Sequence, residues 1–175
     1  GAVYDVDFAD AGGSKLDRAQ YSISSSPVLA DGSVKGWTDI AVNVSSNGYA
    51  QNWGVDFAAE LAGVNYVSVR VYDNADNSAQ QTDIFTVNKD TTSPVITDNQ
   101  AGDDVWRNAA GTLYNVDFAD ALSGLATAQY RITTQAGQAG AVIKDWTDIY
   151  SNPSGVPAYT ADWPVDFAAL QEWAT

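Results

Sequence analysis

The chain has 175 residues, 45% of them hydrophobic, with 22 acidic against 8 basic residues and a formal net charge of −14. That balance repels phosphate backbones and anionic lipid surfaces, so neither nucleic acid nor a membrane surface is an expected partner. There is no Cys and no His, which removes disulfides, thiolate metal sites, the commonest general base and the commonest transition-metal ligand.

Strand signals dominate in chain order. From Ala2 to Ala9, Tyr4, Val6 and Phe8 fall on one face and Asp5 and Asp7 on the other, the period-2 pattern of a half-buried strand. Ala19, Tyr21 and Ile23 alternate with Gln20, Ser22 and Ser24, and Ile40, Val42 and Val44 alternate after Trp37. Tyr49, Trp53, Val55 and Phe57 share odd positions. The clearest strand is Tyr66 to Tyr72, with Val67, Val69 and Val71 on one side, and a last one runs near Thr82 to Val87. Turn-forming pairs such as Gly12-Gly13, Asp31-Gly32 and Asn47-Gly48 separate these segments, which predicts an all-β sandwich. Asp56 to Leu61, like Asp166 to Glu172, is long enough for a turn of helix at most.

The same landmarks return. Tyr4-Asp-Val-Asp-Phe-Ala-Asp10 reappears as Tyr114-Asn-Val-Asp-Phe-Ala-Asp120, a step of 110 residues. Tyr21 answers to Tyr130 and Trp37 to Trp146, steps of 109, and Trp53 answers to Trp163. Copied units usually serve reach, spacing or adhesion rather than one reaction. The expected organisation is a first unit over 1–88, a linker over 89–93 and a second unit over 94–175.

Aligning the copies sets Gly1 against Gly111 and Leu170 against Leu61. The first unit then lacks a counterpart of the opening strand in 94–110, and the second lacks counterparts of Tyr66–Tyr72 and the strand after it. Incomplete sheets leave backbone groups unpaired. The gap is expected to be filled by segments of a longer parent from which this piece is excised. Next in order are a neighbouring chain adding strands and a rearranged pairing of the two halves. No basic segment followed by an apolar one opens the chain, so no signal peptide is read there.

Several segments carry a family resemblance. Asp120-Ala-Leu-Ser-Gly-Leu125, Tyr130-Arg-Ile132 and Trp146-Thr147 stand in the second copy, and Gly63-Val-Asn-Tyr66, Asp73-Asn-Ala-Asp-Asn77 and Asp90-Thr-Thr-Ser-Pro94 in the first and its junction. This pattern resembles the immunoglobulin-like tandem repeats of large bacterial extracellular and surface proteins. Asp76 stands where that family prefers Gly, Ser93 replaces its first Pro, and Gly12-Gly13-Ser14 blurs its Ser-Gly pair. The resemblance implies tandem immunoglobulin-like antiparallel β-sandwiches at the cell surface, and it implies little about molecular function, which lives in sites.

Candidate sites are few. The paired Trp residues are expected to be core anchors of the sheets rather than sugar-stacking platforms. Tyr66, placed after Leu61 and Gly63, has the spacing of a tyrosine corner. Asp73 and Asp76 share one turn, Asp90 lies in the linker and Asp104 opens the second unit. Ordinary turn chemistry on an acidic surface explains them, and the sharper reading is a junction Ca²⁺ site, because that ion takes six to eight oxygens. Asp5 and Asp7 sit about 7 Å apart on one strand face, near glycosidase spacing. Asn115 replaces Asp5 in the copy, so they are read as solvent-facing side chains.

The expected function is therefore non-enzymatic: a structural or adhesive repeat acting as stalk or spacer of an extracellular or surface protein. Other copies of the repeat, neighbouring chains, or a glycan or surface receptor are its expected partners. The alternatives are a carbohydrate-binding module of a secreted enzyme and a filament-forming subunit built by strand complementation.

Overall fold

A computed structural model describes residues 2–28, 32–100, 106–110 and 113–170. The chain divides into two compact units, Gly1–Thr91 and Thr92–Thr175. Every regular element among the described residues is a strand, apart from one 3-10 turn at Phe167–Ala169.

The first unit runs β1 (Phe8–Ala9), β2 (Leu16–Ser24), β3 (Ser33–Ala41), β4 (Gly48–Tyr49), β5 (Gly63–Asp73) and β6 (Ser78–Lys89). These form two antiparallel sheets, β1-β4 and β3-β2-β5-β6. The period-2 residues meet between them: Phe8, Leu16, Ala19, Tyr21, Ile23, Trp53, Val67 and Val69 are buried in one cluster, with Tyr49, Val55 and Phe85 packed against it. β2 and β5 lie side by side in register, Tyr21 opposite Val69 and Ile23 opposite Val67, so apolar side chains of both strands fall on the same face.

The second unit runs β7 (Val95–Asp98), β8 (Val116–Ala119), β9 (Leu125–Gln135), β10 (Ala139–Val156) and β11 (Ala158–Tyr159). Its sheets are β11-β8-β7 and β10-β9, again antiparallel. Its buried core is smaller, centred on Phe118, Leu125 and Ala128.

Matched residues make matched bonds. Trp53 Nε1 donates to Val6 O at 3.3 Å and Trp163 Nε1 to Val116 O at 3.3 Å. Asp56 N donates to the Tyr21 hydroxyl at 3.1 Å and Asp166 N to the Tyr130 hydroxyl at 3.0 Å. Lys35 pairs with Asp56 at 2.9 Å and Lys144 with Asp166 at 2.7 Å. Each Trp also lies close to its Tyr, with centroids 5.6 Å apart in the first unit and 5.5 Å in the second. Burying an indole or phenol without a partner is costly, so these bonds are what admit the aromatic anchors to the interior.

Several sequence expectations are corrected. Phe57 is 48% exposed rather than core: the chain leaves the sheet after Trp53 for a turn, where strand parity no longer sets direction, and the ring lies 4.9 Å from Lys89 Nζ. Tyr4 and Trp53 form only an isolated bridge beyond β1 and β4. Lys89 belongs to β6, opposite Gly63, rather than to a linker. The turn preceding β5 is tied by Asn65, not Tyr66. Asn65 is fully buried, accepts from Leu61 N at 3.0 Å and donates to Leu61 O at 2.7 Å and Gly63 O at 3.2 Å. It shares the inward parity of Val67 and Val69, whereas Tyr66 lies on the other face.

Candidate functional site

The acidic turn between β5 and β6 is built from its own side chains. Asp73 Oδ1 accepts from Ala75 N at 2.9 Å and Asn77 N at 2.8 Å. Its Oδ2 accepts from Asn77 Nδ2 at 2.8 Å and Ser14 Oγ at 2.7 Å. These donors, led by the Asn77 amide and the Ser14 hydroxyl, hold the Asp73 carboxyl at about 2, well below the ordinary Asp value. Asn74 Nδ2 latches the turn to the first loop through Ser14 O at 2.9 Å and Lys15 O at 3.0 Å. Asp76 has φ +62°, a left-handed conformation that costs Asp less than most residues but Gly least.

Three of the four candidate ligands, Asp73, Asp76 and Asp90, are thus dispersed along the hairpin. Asp73 and Asp76 share the turn, but Asp90 follows Lys89, which pairs with Gly63 at the opposite end. Eleven residues of β5 separate the ends, roughly 30 Å at strand rise. Asp104 lies outside the described residues. Among the described residues, no group of three acidic side chains is placed to hold a metal ion. In the second unit, Asp120 plays the turn-forming part instead, accepting from Leu122 N at 3.1 Å and Gly124 N at 3.0 Å. Gly124 has φ +78°, and a Cβ there would stand 3.1 Å from the Val156 backbone, which accounts for the Ser-Gly pair.

The tryptophans divide into two roles. Trp53 is buried, as expected of an anchor, but Trp146 is 51% exposed and its counterpart Trp37 is half-buried. Trp37 lies on the outer face of the large sheet with the Arg70 guanidinium 4.3 Å from its ring centroid. Arg70 Nε donates to Gln20 Oε1 at 2.8 Å, and Gln20 Nε2 donates to Asp39 Oδ1 at 2.6 Å. Arg18 covers Tyr72 at 4.2 Å. In the second unit Arg131, from β9, lies 5.9 Å from the Trp146 ring, and Gln129 Nε2 donates to Asp148 Oδ1 at 2.8 Å. These stacked layers shield the sheet face.

Two further features were hidden from sequence reasoning. Glu60 is 3% exposed, and neither carboxyl oxygen has a hydrogen-bond partner among the described residues. Burial pushes its carboxyl up, Lys89 acts against that shift, and Asp56 adds to it. The turn bonds Ala59 N to Asp56 O and Glu60 N to Phe57 O recur as Ala169 N to Asp166 O and Leu170 N to Phe167 O. Leu170 therefore stands at the Glu60 position rather than at that of Leu61. A groove of about 400 Å³ in the second unit is lined by Tyr130, Tyr159, Trp163, Asp148, Asp162 and Asp166 among others.

No helix among the described residues is long and apolar enough to cross a membrane. No protein-family model, curated protein or solved structure matches the chain.

Proposed function

We propose that this chain is a non-enzymatic structural or adhesive repeat of an extracellular or surface-attached protein, built as tandem immunoglobulin-like sandwiches and acting as stalk or spacer. One observation carries the reading: matched residues in the two units make the same fold-determining bonds, from Trp53 and Trp163 to Val6 and Val116 and from Asp56 and Asp166 to Tyr21 and Tyr130. What is duplicated is a way of building a β unit. Asp73 is engaged in a turn and Asp56 and Asp166 in ion pairs, which favours mechanics over chemistry at these carboxylates.

A stalk repeat must resist extension as a unit. Single-molecule stretching between the chain termini should show unit 1 yielding in one cooperative rupture. The contour gain should be roughly 300 Å, the length of its residues at full extension. Gradual lengthening without a rupture would sink the reading.

The aromatic and acidic groove of the second unit favours a second reading, a carbohydrate-binding module, since ring faces and carboxylates are what sugar hydroxyls and C–H faces meet. Glycan-array binding that is lost in Asp162→Ala would promote it, and a blank array would retire it.

A further inference from the structure

We propose that unit 1 carries a strand-acceptor groove between β1 and the β5-β6 hairpin, and that its ligand is an extended, largely uncharged segment with the side-chain pattern of β7. The inference rests on register and goes beyond the spacer reading.

The second unit displays the template. β7 pairs there with β8, Val95 opposite Ala119, Ile96 opposite Phe118, Thr97 opposite Asp117 and Asp98 opposite Val116. The residues matched to Val116–Ala119 are Val6, Asp7, Phe8 and Ala9. In unit 1 that segment pairs with β4 on one side, as β8 pairs with β11. Its other edge carries no strand among the described residues. It borders a groove of about 230 Å³ instead, floored by Val69, Val71, Ala79 and Gln81 and walled by Val6 and Phe8. An open edge offers N–H and C=O groups to an added strand, and the apolar floor selects its alternate side chains.

The two units fall short in complementary ways. Ile96 shares a face with buried Phe118 yet is 67% exposed, because no counterpart of the β5-β6 hairpin lies over it among the described residues. Unit 1 has that hairpin and, among the described residues, no strand at the β7 position. A side chain in the Ile96 place, set opposite Phe8, would meet the Val69, Val71 and Ala79 surface that Ile96 itself lacks.

The polar contacts transfer as well. Asn99, just past β7, donates through Nδ2 to Asp117 Oδ2 at 2.9 Å and Asn115 Oδ1 at 3.1 Å. The matched residues are Asp7 and Asp5, both exposed and both acceptors. A carboxamide at the Asn99 position would find two carboxylate acceptors there, a stronger pairing than with an amide oxygen. The formal charge of −14 disfavours a second copy of the whole chain as occupant, while the five residues Val95 to Asn99 carry a single carboxylate.

The test is a heteronuclear NMR titration of the ¹⁵N-labelled full chain with a synthetic peptide spanning residues 93–100. Saturable amide shifts confined to Val6–Ala9, Val69–Val71 and Ala79–Gln81 are expected. A peptide carrying Ile96→Asp should bind roughly tenfold more weakly or worse. Ala79→Phe fills the groove from an exposed position and should abolish the shifts while leaving the rest of the spectrum in place. An absence of saturable shifts at millimolar peptide, or shifts that persist in Ala79→Phe, overturns the proposal. Concentration-dependent shifts at the same amides without peptide would overturn it in favour of a second copy as occupant.

Discussion

Set side by side, β2 and β9 carry nearly the same inward residues and experience different environments. Tyr21 and Ile23 are 5% and 0% exposed, whereas their counterparts Tyr130 and Ile132 are only half-buried. The residues are identical, so the difference is one of neighbours. β2 is flanked by β3 and β5, while β9 has β10 alone among the described residues. Phe85 of β6 also lies against Tyr4, centroids 4.1 Å apart, and against Trp53 at 6.0 Å. No counterpart covers Tyr114 and Trp163 among the described residues. The comparison teaches that the aromatic anchors and their hydrogen bonds form with half the sheet, whereas deep burial waits for the hairpin.

The largest break in that comparison comes from truncation at matched sites. Ile23→Ala should cost about 2–5 kcal/mol in equilibrium unfolding, while Ile132→Ala should cost well under half as much, because a half-buried side chain leaves little cavity. Equal losses at both positions would mean that β9 is covered as well as β2.

Glu60 against Leu170 sharpens it next. Replacing the buried, unpaired carboxyl by the residue that the second unit uses, Glu60→Leu, should stabilise unit 1 by about 1–3 kcal/mol at neutral pH. The sign follows from the raised carboxyl. Below the ordinary Glu value both states are protonated and ionisation carries no penalty. As pH rises through that value the unfolded chain ionises first, and the wild type loses stability until the folded carboxyl has ionised too. Lys89, Asp56 and Tyr4 are the ionisable groups coupled to it. The advantage of the variant should therefore shrink on acidification, which chemical denaturation at several pH values would reveal.

Asp73 works in the opposite direction. Its carboxyl is lowered to about 2, so its contribution is complete above the ordinary Asp value and fades as pH falls from there toward 2. Asp73→Asn should flatten that part of the acid-unfolding curve for unit 1. The smallest change is Asp76→Gly, which relieves a left-handed residue and should add about 0.5–1 kcal/mol; a thermal melt that moves downward would show that the Asp side chain matters more than its backbone.

The all-β class was legible because burial imposes period 2 on β2 and β5, and the turn residues mark where strands stop. Parity failed where the chain left the sheet: Phe57 continues the odd-position run of Trp53 and Val55 but sits in a turn. It also hid Asn65, a polar residue at an inward position, which only its bonds to Leu61 and Gly63 explain. Asp73, Asp76 and Asp90 looked near one another because Asp90 follows Asp73 by only 17 residues, yet the long hairpin carries Asp90 to its far end. The outer layers of Arg70 on Trp37 and Arg18 on Tyr72 join residues from different strands, and no local pattern announces such pairs.

Native-state hydrogen exchange tests the central claim most directly, by comparing β2 with β9 residue by residue. The account predicts that amides throughout Ala19–Ile23 share the highest protection in unit 1, while β9 amides directed away from β10 exchange much faster than their β2 counterparts. Equal protection of the two strands, in a chain that remains monomeric, would contradict it.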